Sequence, residues 1–244
     1  MKNPTHSTPQ KRRDSPATAP IDTPKDTFAQ SVRIATDTVE LEGDLVVPAD
    51  AAGIVLFAHG SGSSRLSPRN QFVARTIQAA GIGTLLFDLM TPDEEKEDAA
   101  SGSLRFNIWF LALRLLHATR WINNQPATRH LGVGYFGSST GGAAALVAAA
   151  ELGPFVQAVV SRGGRPDLAG DEIANVHSPT LLIVGELDDV VIHLNEDAYE
   201  RIRAEKQFSV VPNATHLFEE PGALEEVASQ AAQWFRQHLH LREP

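Results

Sequence analysis

Six segments of the chain are apolar at nearly every position instead of alternately: Gly53–Ala58, Gly83–Phe87, Leu131–Phe136, Val156–Val160, Thr180–Val184 and Phe208–Val211. A strand that is apolar on both faces must be covered on both, which is the condition of a parallel sheet flanked by helices. Two earlier runs, Val32–Thr36 and Val39–Val47, are also strand-like, and Gly43-Asp44 predicts a bend or bulge in the second. Helical spacing fills the intervals. Ser67-Pro68 reads as an N-cap followed by proline in the first turn, with Gly81 as the stop, and Phe72, Val73, Ile77 and Ala80 share a face. A second helix is predicted from Ser103 to about Asn123, a third, almost all small residues, over Ala143–Ala150, and a last one over Ala223–Leu239. Strands alternating with helices predict an α/β fold with a doubly wound, mostly parallel sheet and helices on both faces.

Residues 1–30 break this pattern. They hold Pro4, Pro9, Pro16, Pro20 and Pro24 among many Ser and Thr, with Phe28 as the lone aromatic. Such a segment buries too little apolar area to offset its ordering entropy, so a disordered tail over 1–30 and a single domain over 31–244 are expected. Composition narrows the function classes. A net charge of -9 argues against nucleic acid, whose phosphates need a cationic partner surface. The chain has no cysteine, which excludes disulfides, thiolate metal sites and a cysteine nucleophile. The most apolar window, Phe106–Leu113, is far shorter than a membrane span, and the N-terminal segment lacks the apolar core of a secretory signal. A soluble cytoplasmic enzyme or binding protein with no membrane partner is expected; the patterns are silent on oligomeric state.

Ligands of such sheets bind beyond the carboxyl ends of the strands, so the informative residues follow each strand. Gly137-Ser138-Ser139-Thr140-Gly141 matches G-x-S-x-G between a buried strand and a helix. The glycines permit a sharp turn that projects Ser139 at the sheet end, whereas centring it on Ser138 loses the glycine spacing. A serine hydroxyl needs a base, and the base needs a carboxylate to orient it. Asp188 follows the Thr180–Val184 strand and His216 follows Phe208–Val211, in the order Ser, acid, His; Asp189 and, more remotely, Glu186 are the alternative acids. The loop His59-Gly60-Ser61-Gly62 can bring backbone N–H groups to a developing oxyanion. The expected donors are the amides of Ser61 and Thr140, with Gly62 as alternate. A glycine-rich loop before a helix could instead cradle phosphate, but both nucleotide-binding glycine patterns are missing.

His59, Gly60, Gly62, Arg162 and Arg165 are the candidate substrate contacts. Arginines 162 and 165, with Arg65 and Arg69 after the oxyanion loop, would suit an anionic substrate. The competing reading pairs Arg165 with Asp167 and leaves the others in water. The acidic run Asp93–Asp98 is expected as a solvated loop or a mobile flap.

From about Ser31 to Leu239 the chain resembles the α/β-hydrolases, specifically the dienelactone hydrolase family. The resemblance rests on His59-Gly60-Ser61-Gly62, the Gly137–Gly142 elbow, Gly185-Glu186-Leu187-Asp188-Asp189-Val190-Val191 and Ala214-Thr215-His216-Leu217-Phe218. Dienelactone hydrolases proper use a cysteine where this chain has Ser139, which turns the expectation towards a serine esterase. The resemblance implies a serine hydrolase with Ser139, Asp188 and His216 as its triad, acting on small carboxylic esters or lactones without metal or cofactor and without a large lid domain. A thioesterase or amidase with the same triad, or a homologue that binds small molecules without turnover, is the alternative.

Overall fold

A computed structural model describes residues 27–242. Eight strands form one sheet in the order β1-β2-β4-β3-β5-β6-β7-β8. Strands β1 (Phe28–Ala35) and β2 (Glu40–Val47) pair antiparallel, as do β2 and β4 (Gly83–Phe87). All other neighbours are parallel: β3 (Gly53–Ala58), β5 (Gly132–Ser138), β6 (Val156–Arg162), β7 (Thr180–Gly185) and β8 (Lys206–Val211). Every residue of β3, β4, β5 and β7 is buried, as their unbroken apolar runs require. The two edges behave otherwise. Strand β1 buries only Val32 and Ile34, and β8 only Val211, so alternation replaces continuity where one side meets water.

Helices α1 (Pro68–Ala79) and α6 (Ala223–His238) cover one face, where Val73, Ile77, Val227 and Phe235 meet Val55, Phe57 and Phe136 of the sheet. Helices α3 (Ile108–Asn123) and α4 (Thr140–Leu152) cover the other with Leu111, Leu115, Ala144 and Val147, joined by Ala198 of α5 (Asp189–Arg201). Helix α4 is buried from Thr140 to Ala149, and its alanines and glycines let it sit tightly against the sheet.

Several expectations are corrected. Residues 28–30 belong to β1, not to the tail, because they pair with Leu45, Val46 and Val47; residues 1–26 of the expected tail lie outside the described residues. No bulge occurs at Gly43, which stays in register with Val32 and Phe87. A Cβ there would lie 3.2 Å from Leu86 O, so this glycine serves close strand packing. The acidic run Asp93–Asp98 is helical, within α2 (Pro92–Ser101). Thr91 Oγ1 accepts from the Glu94 amide and Glu94 returns the bond to the Thr91 amide, a capping box, while Asp93, Glu94 and Glu95 face the positive helix end. The helix predicted from Ser103 begins only at Ile108, because the buried Asp98 carboxylate takes the amides of Leu104 and Arg105, and Asn107 caps α3.

Candidate active site

The turn from β5 into α4 sets Ser139 at φ 52°, ψ -122°, a left-handed conformation that costs a non-glycine residue about 1–3 kcal/mol. Three backbone bonds hold it there. The Ser139 amide donates to Arg162 O (3.3 Å), and its carbonyl accepts from Gly142 (3.0 Å) and Arg165 (3.1 Å). Tightness explains the second glycine of the motif: a Cβ on Gly141 would lie 2.1 Å from Ala58 O. Gly141→Ala is therefore expected to cost about 3 kcal/mol, a fall of roughly 6–12 °C in Tm, with loss of any activity that depends on the turn. Calorimetry showing an unchanged melting curve would contradict this packing.

On the next strands the acid and base candidates converge. The turn after β7 is built by Glu186 N–H to Val211 O, Leu187 N–H to Ala214 O and Asp188 N–H to Gly185 O. Glu186, one of the alternative acids, is used for scaffolding: its Oε2 accepts from the Asn213 amide at 2.7 Å and ties the acid turn to the histidine loop. Asp188 Oδ2 lies 2.6 Å from His216 Nδ1, so the imidazole donates from Nδ1 and leaves Nε2 as its free lone pair. Asp189 is exposed in the first turn of α5. A Cβ on Gly163 would stand 3.4 Å from the imidazole Nδ1 and Cε1, so the residue after β6 backs the ring. Asn195 of α5, fully buried, steadies this segment by donating to Gly164 O at 3.0 Å.

Ser139 and His216 line one open cavity of about 710 Å³ at the carboxyl end of the sheet, together with Gly60, Ser61, Gly62 and Arg162. No hydrogen bond joins Ser139 Oγ to the imidazole. The amide of Thr140 opens α4 and lies among those a helix leaves without an internal partner. The expected second donor is found engaged: Ser61 N–H donates to Thr140 Oγ1 at 3.1 Å. The sequence gives no sign of this bond, since it joins residues 79 apart through a side chain named only for its amide.

The candidate substrate contacts divide. His59 is corrected: it is buried and does not line the cavity. Its Nδ1–H donates to Gly60 O (3.1 Å), and Nε2 accepts from the Leu89 amide (3.0 Å), which bolts the loop to the end of β4. Burial lowers its pKa, against the raising effects of the Gly60 bond and the Asp88 and Glu95 charges. The unfolded chain takes up this proton near pH 6.5 and the folded chain only below that, so stability contributed here is lost as pH falls beneath about 6.5. Denaturant midpoints at about pH 7.5 and about pH 5.5 should fall further apart in the wild type than in His59→Gln; equal spacing would remove His59 as the cause.

Arg165 is corrected as well: its guanidinium pairs with Asp167 through two bonds, at 2.8 and 2.7 Å, and does not line the cavity. Arg65 is absorbed by Asp88, Glu42 and Asp44. Arg69 lines the cavity and holds Glu219 at 2.9 Å. Arg162 also lines it, is 7% exposed, and has no carboxylate or carbonyl partner for Nε or Nη1. Burial, with the charge of Arg69 second, lowers its pKa to about 10. Arg105, which no sequence motif marks, and Glu95 of the acidic run also reach the cavity from the α2–α3 region; Arg105 is held there by Asp98.

Comparison with known proteins agrees with this architecture. Residues 45–242 match the model of the dienelactone hydrolase family. A crystal structure of a dienelactone hydrolase from Anabaena variabilis is 56% identical, with a TM-score of 0.86 over 88% of this chain and 99% of that one. Est1E from Butyrivibrio proteoclasticus is 14% identical and shares the fold, with a TM-score of 0.71 over 85% of this chain and 98% of its own. A Mycobacterium tuberculosis protein provisionally named a phosphoribosyl transferase is 55% identical over 210 residues, 86% of this chain but 46% of its own length. The chain thus spans about half the length of that relative. With its sheet order, its strand-turn-helix elbow and a family match across most of its length, the chain has the α/β-hydrolase fold and belongs to the dienelactone hydrolase family.

Proposed function

We propose that this protein is a serine hydrolase that cleaves small carboxylic esters or lactones through an acyl-Ser139 intermediate. The observation that carries the reading is the 2.6 Å bond from His216 to Asp188, at the rim of the cavity that the strained Ser139 also lines. A substrate carbonyl seated against Ser139 is attacked by its Oγ, whose proton passes directly to His216 Nε2 as Asp188 stabilises the imidazolium. The carbonyl oxygen becomes an oxyanion beside the Thr140 amide. An oxyanion is a stronger acceptor than a neutral hydroxyl, so it also draws the Ser61 amide away from Thr140 Oγ1. His216 then returns the proton to the leaving alkoxide, the acyl–Ser139 ester remains, and a water deprotonated by His216 releases the acid and restores the serine.

Side chains, backbone amides and water supply every group in this sequence of steps. The open cavity suits small substrates. Among the described residues no helix is long and apolar enough to cross a membrane. The transferase name of the mycobacterial protein applies to a chain of which this one spans less than half, and it does not set the chemistry proposed for this domain. A fluorophosphonate probe tests the reading. Covalent modification mapped by mass spectrometry to the peptide containing Ser139 is the expected result; modification elsewhere, or none, counts against it.

A further inference from the structure

Among the described residues, Arg162 is a buried guanidinium without an ion-pair partner. It sits at the end of β6, in register with Ser138, and its partner in cation–π contact is the ring of Phe218 at 5.8 Å. Removing a guanidinium from water without an acceptor is costly, and here two of its nitrogens are buried and unpaired. The neighbouring cation makes matters worse, since Arg69 is close enough to depress Arg162's proton affinity. Arg69 is half-satisfied: one nitrogen holds Glu219, while its buried Nε has no acceptor.

Arg69 belongs to the first turn of α1, and that turn is open. Ser67, Pro68 and Arg69 line the same cavity as Arg162. Ser67 precedes the helix without capping it by its side chain, and no acidic residue occupies the first turn. The amides of Arg69 and Asn70 are among those a helix leaves unpartnered, and this end carries the positive pole of the macrodipole. The wall of the cavity therefore offers helix amides, a free hydroxyl and two guanidiniums drawn from separate elements. A carboxylate has two coplanar oxygens and one charge. Three oxygens and nearly two negative charges, as in a phosphate monoester, match donors arriving from several directions. Glu219 offsets the charge of Arg69, and Glu95 lines the cavity from α2, so the cation left without a counter-ion at this wall is Arg162, with the α1 amides beside it.

We propose that Arg162, Arg69 and the first turn of α1 form a subsite for a phosphate monoester group, so that the substrate of Ser139 is an ester carrying a phosphate elsewhere in the molecule. The inference deepens the serine-hydrolase reading and rests on it for the cleavage step, though not for phosphate binding. Inorganic phosphate is the first probe. It is expected to raise the Tm of the wild type and of Ser139→Ala alike, and to slow fluorophosphonate labelling of the wild type. In Arg162→Met phosphate binding should weaken about tenfold or more, and Arg162→Lys, which keeps the charge but loses the fork, should fall between. Arg162→Met without phosphate should melt no lower than the wild type, because it removes a buried charge that lacks a partner. The second probe is a pair of substrates, acetylated glycerol 3-phosphate and monoacetylglycerol. A preference in kcat/KM of about tenfold or more for the phosphorylated ester, abolished in Arg162→Met, is expected. Acetate that binds as tightly as phosphate with the same dependence on Arg162 would assign a carboxylate and overturn the proposal. So would phosphate binding that ignores Arg162, or no binding at all. If phosphate binds through Arg162 but Ser139 resists labelling, the hydrolase reading fails and the subsite stands.

Discussion

Ser139→Ala should retain the fold, bind substrate, and lose hydrolysis by about 10⁴-fold or more in kcat. The size follows from the steps assigned to one atom. Oγ is the attacking group, the proton donor to His216 and the carrier of the acyl intermediate, and without it a water activated by His216 must attack the ester directly, losing the covalent intermediate that divides the reaction into two easier steps. The cavity, the Thr140 amide and the His216–Asp188 pair all survive the substitution, so a residual rate above the uncatalysed one is expected. Stability should change little. The left-handed φ of 52° belongs to the turn and to its bonds with Arg162, Gly142 and Arg165, none of which uses the hydroxyl. Chromogenic ester turnover, fluorophosphonate labelling and circular dichroism on the same two preparations make the check. A variant that folds and still hydrolyses within a few-fold of wild type would transfer the nucleophile to another residue.

Much of this site was legible before any coordinates because its chemistry is local. Gly137-Ser138-Ser139-Thr140-Gly141 encodes a turn whose geometry depends on residues adjacent in sequence, and the apolar runs mark which strands are buried on both faces. Asp188 and His216 are visible for a related reason: each lies just beyond a strand, and all parallel strands end on one side. What escaped depends on side chains meeting across the sheet. Nothing near Arg162 in sequence distinguishes it from Arg165, yet Arg165 finds Asp167 two residues away, whereas Arg162 is buried against the Phe218 ring of the histidine loop with its Nε and Nη1 unpaired. His59 looked like a loop residue in reach of substrate because the loop is glycine-rich; the Leu89 amide that claims its Nε2 comes from a different strand end. The start of α3 was misread for the opposite reason. Its apolar spacing is compatible with an earlier start, but a buried carboxylate at Asp98 competes for the same amides.

The neighbouring acids give the second large effect. Asp188→Asn is expected to lower kcat by about 10³–10⁴-fold, and Asp189→Asn to leave it within about twofold. The distinction is one of proton placement. Ionised Asp188 only accepts, so it fixes the His216 proton on Nδ1 and keeps the Nε2 lone pair free for the Ser139 proton. An amide in the same position can turn its NH₂ towards the ring, which is satisfied best by the other tautomer, with Nε2 protonated and unable to act as a base. It also removes the charge that stabilises the imidazolium once formed. Asp189 has neither role. It stands exposed at the head of α5, where its charge favours the helix N-terminus by about 0.3–1 kcal/mol, so its replacement should lower Tm slightly and leave the pH–rate profile in place. Measured on one ester across pH, the two variants separate the electrostatic from the structural contribution of a two-residue acidic turn. If Asp189→Asn fell by orders of magnitude while Asp188→Asn stayed active, the bond seen between His216 and Asp188 would be a resting arrangement, and the working histidine would have to reach past it to the next residue.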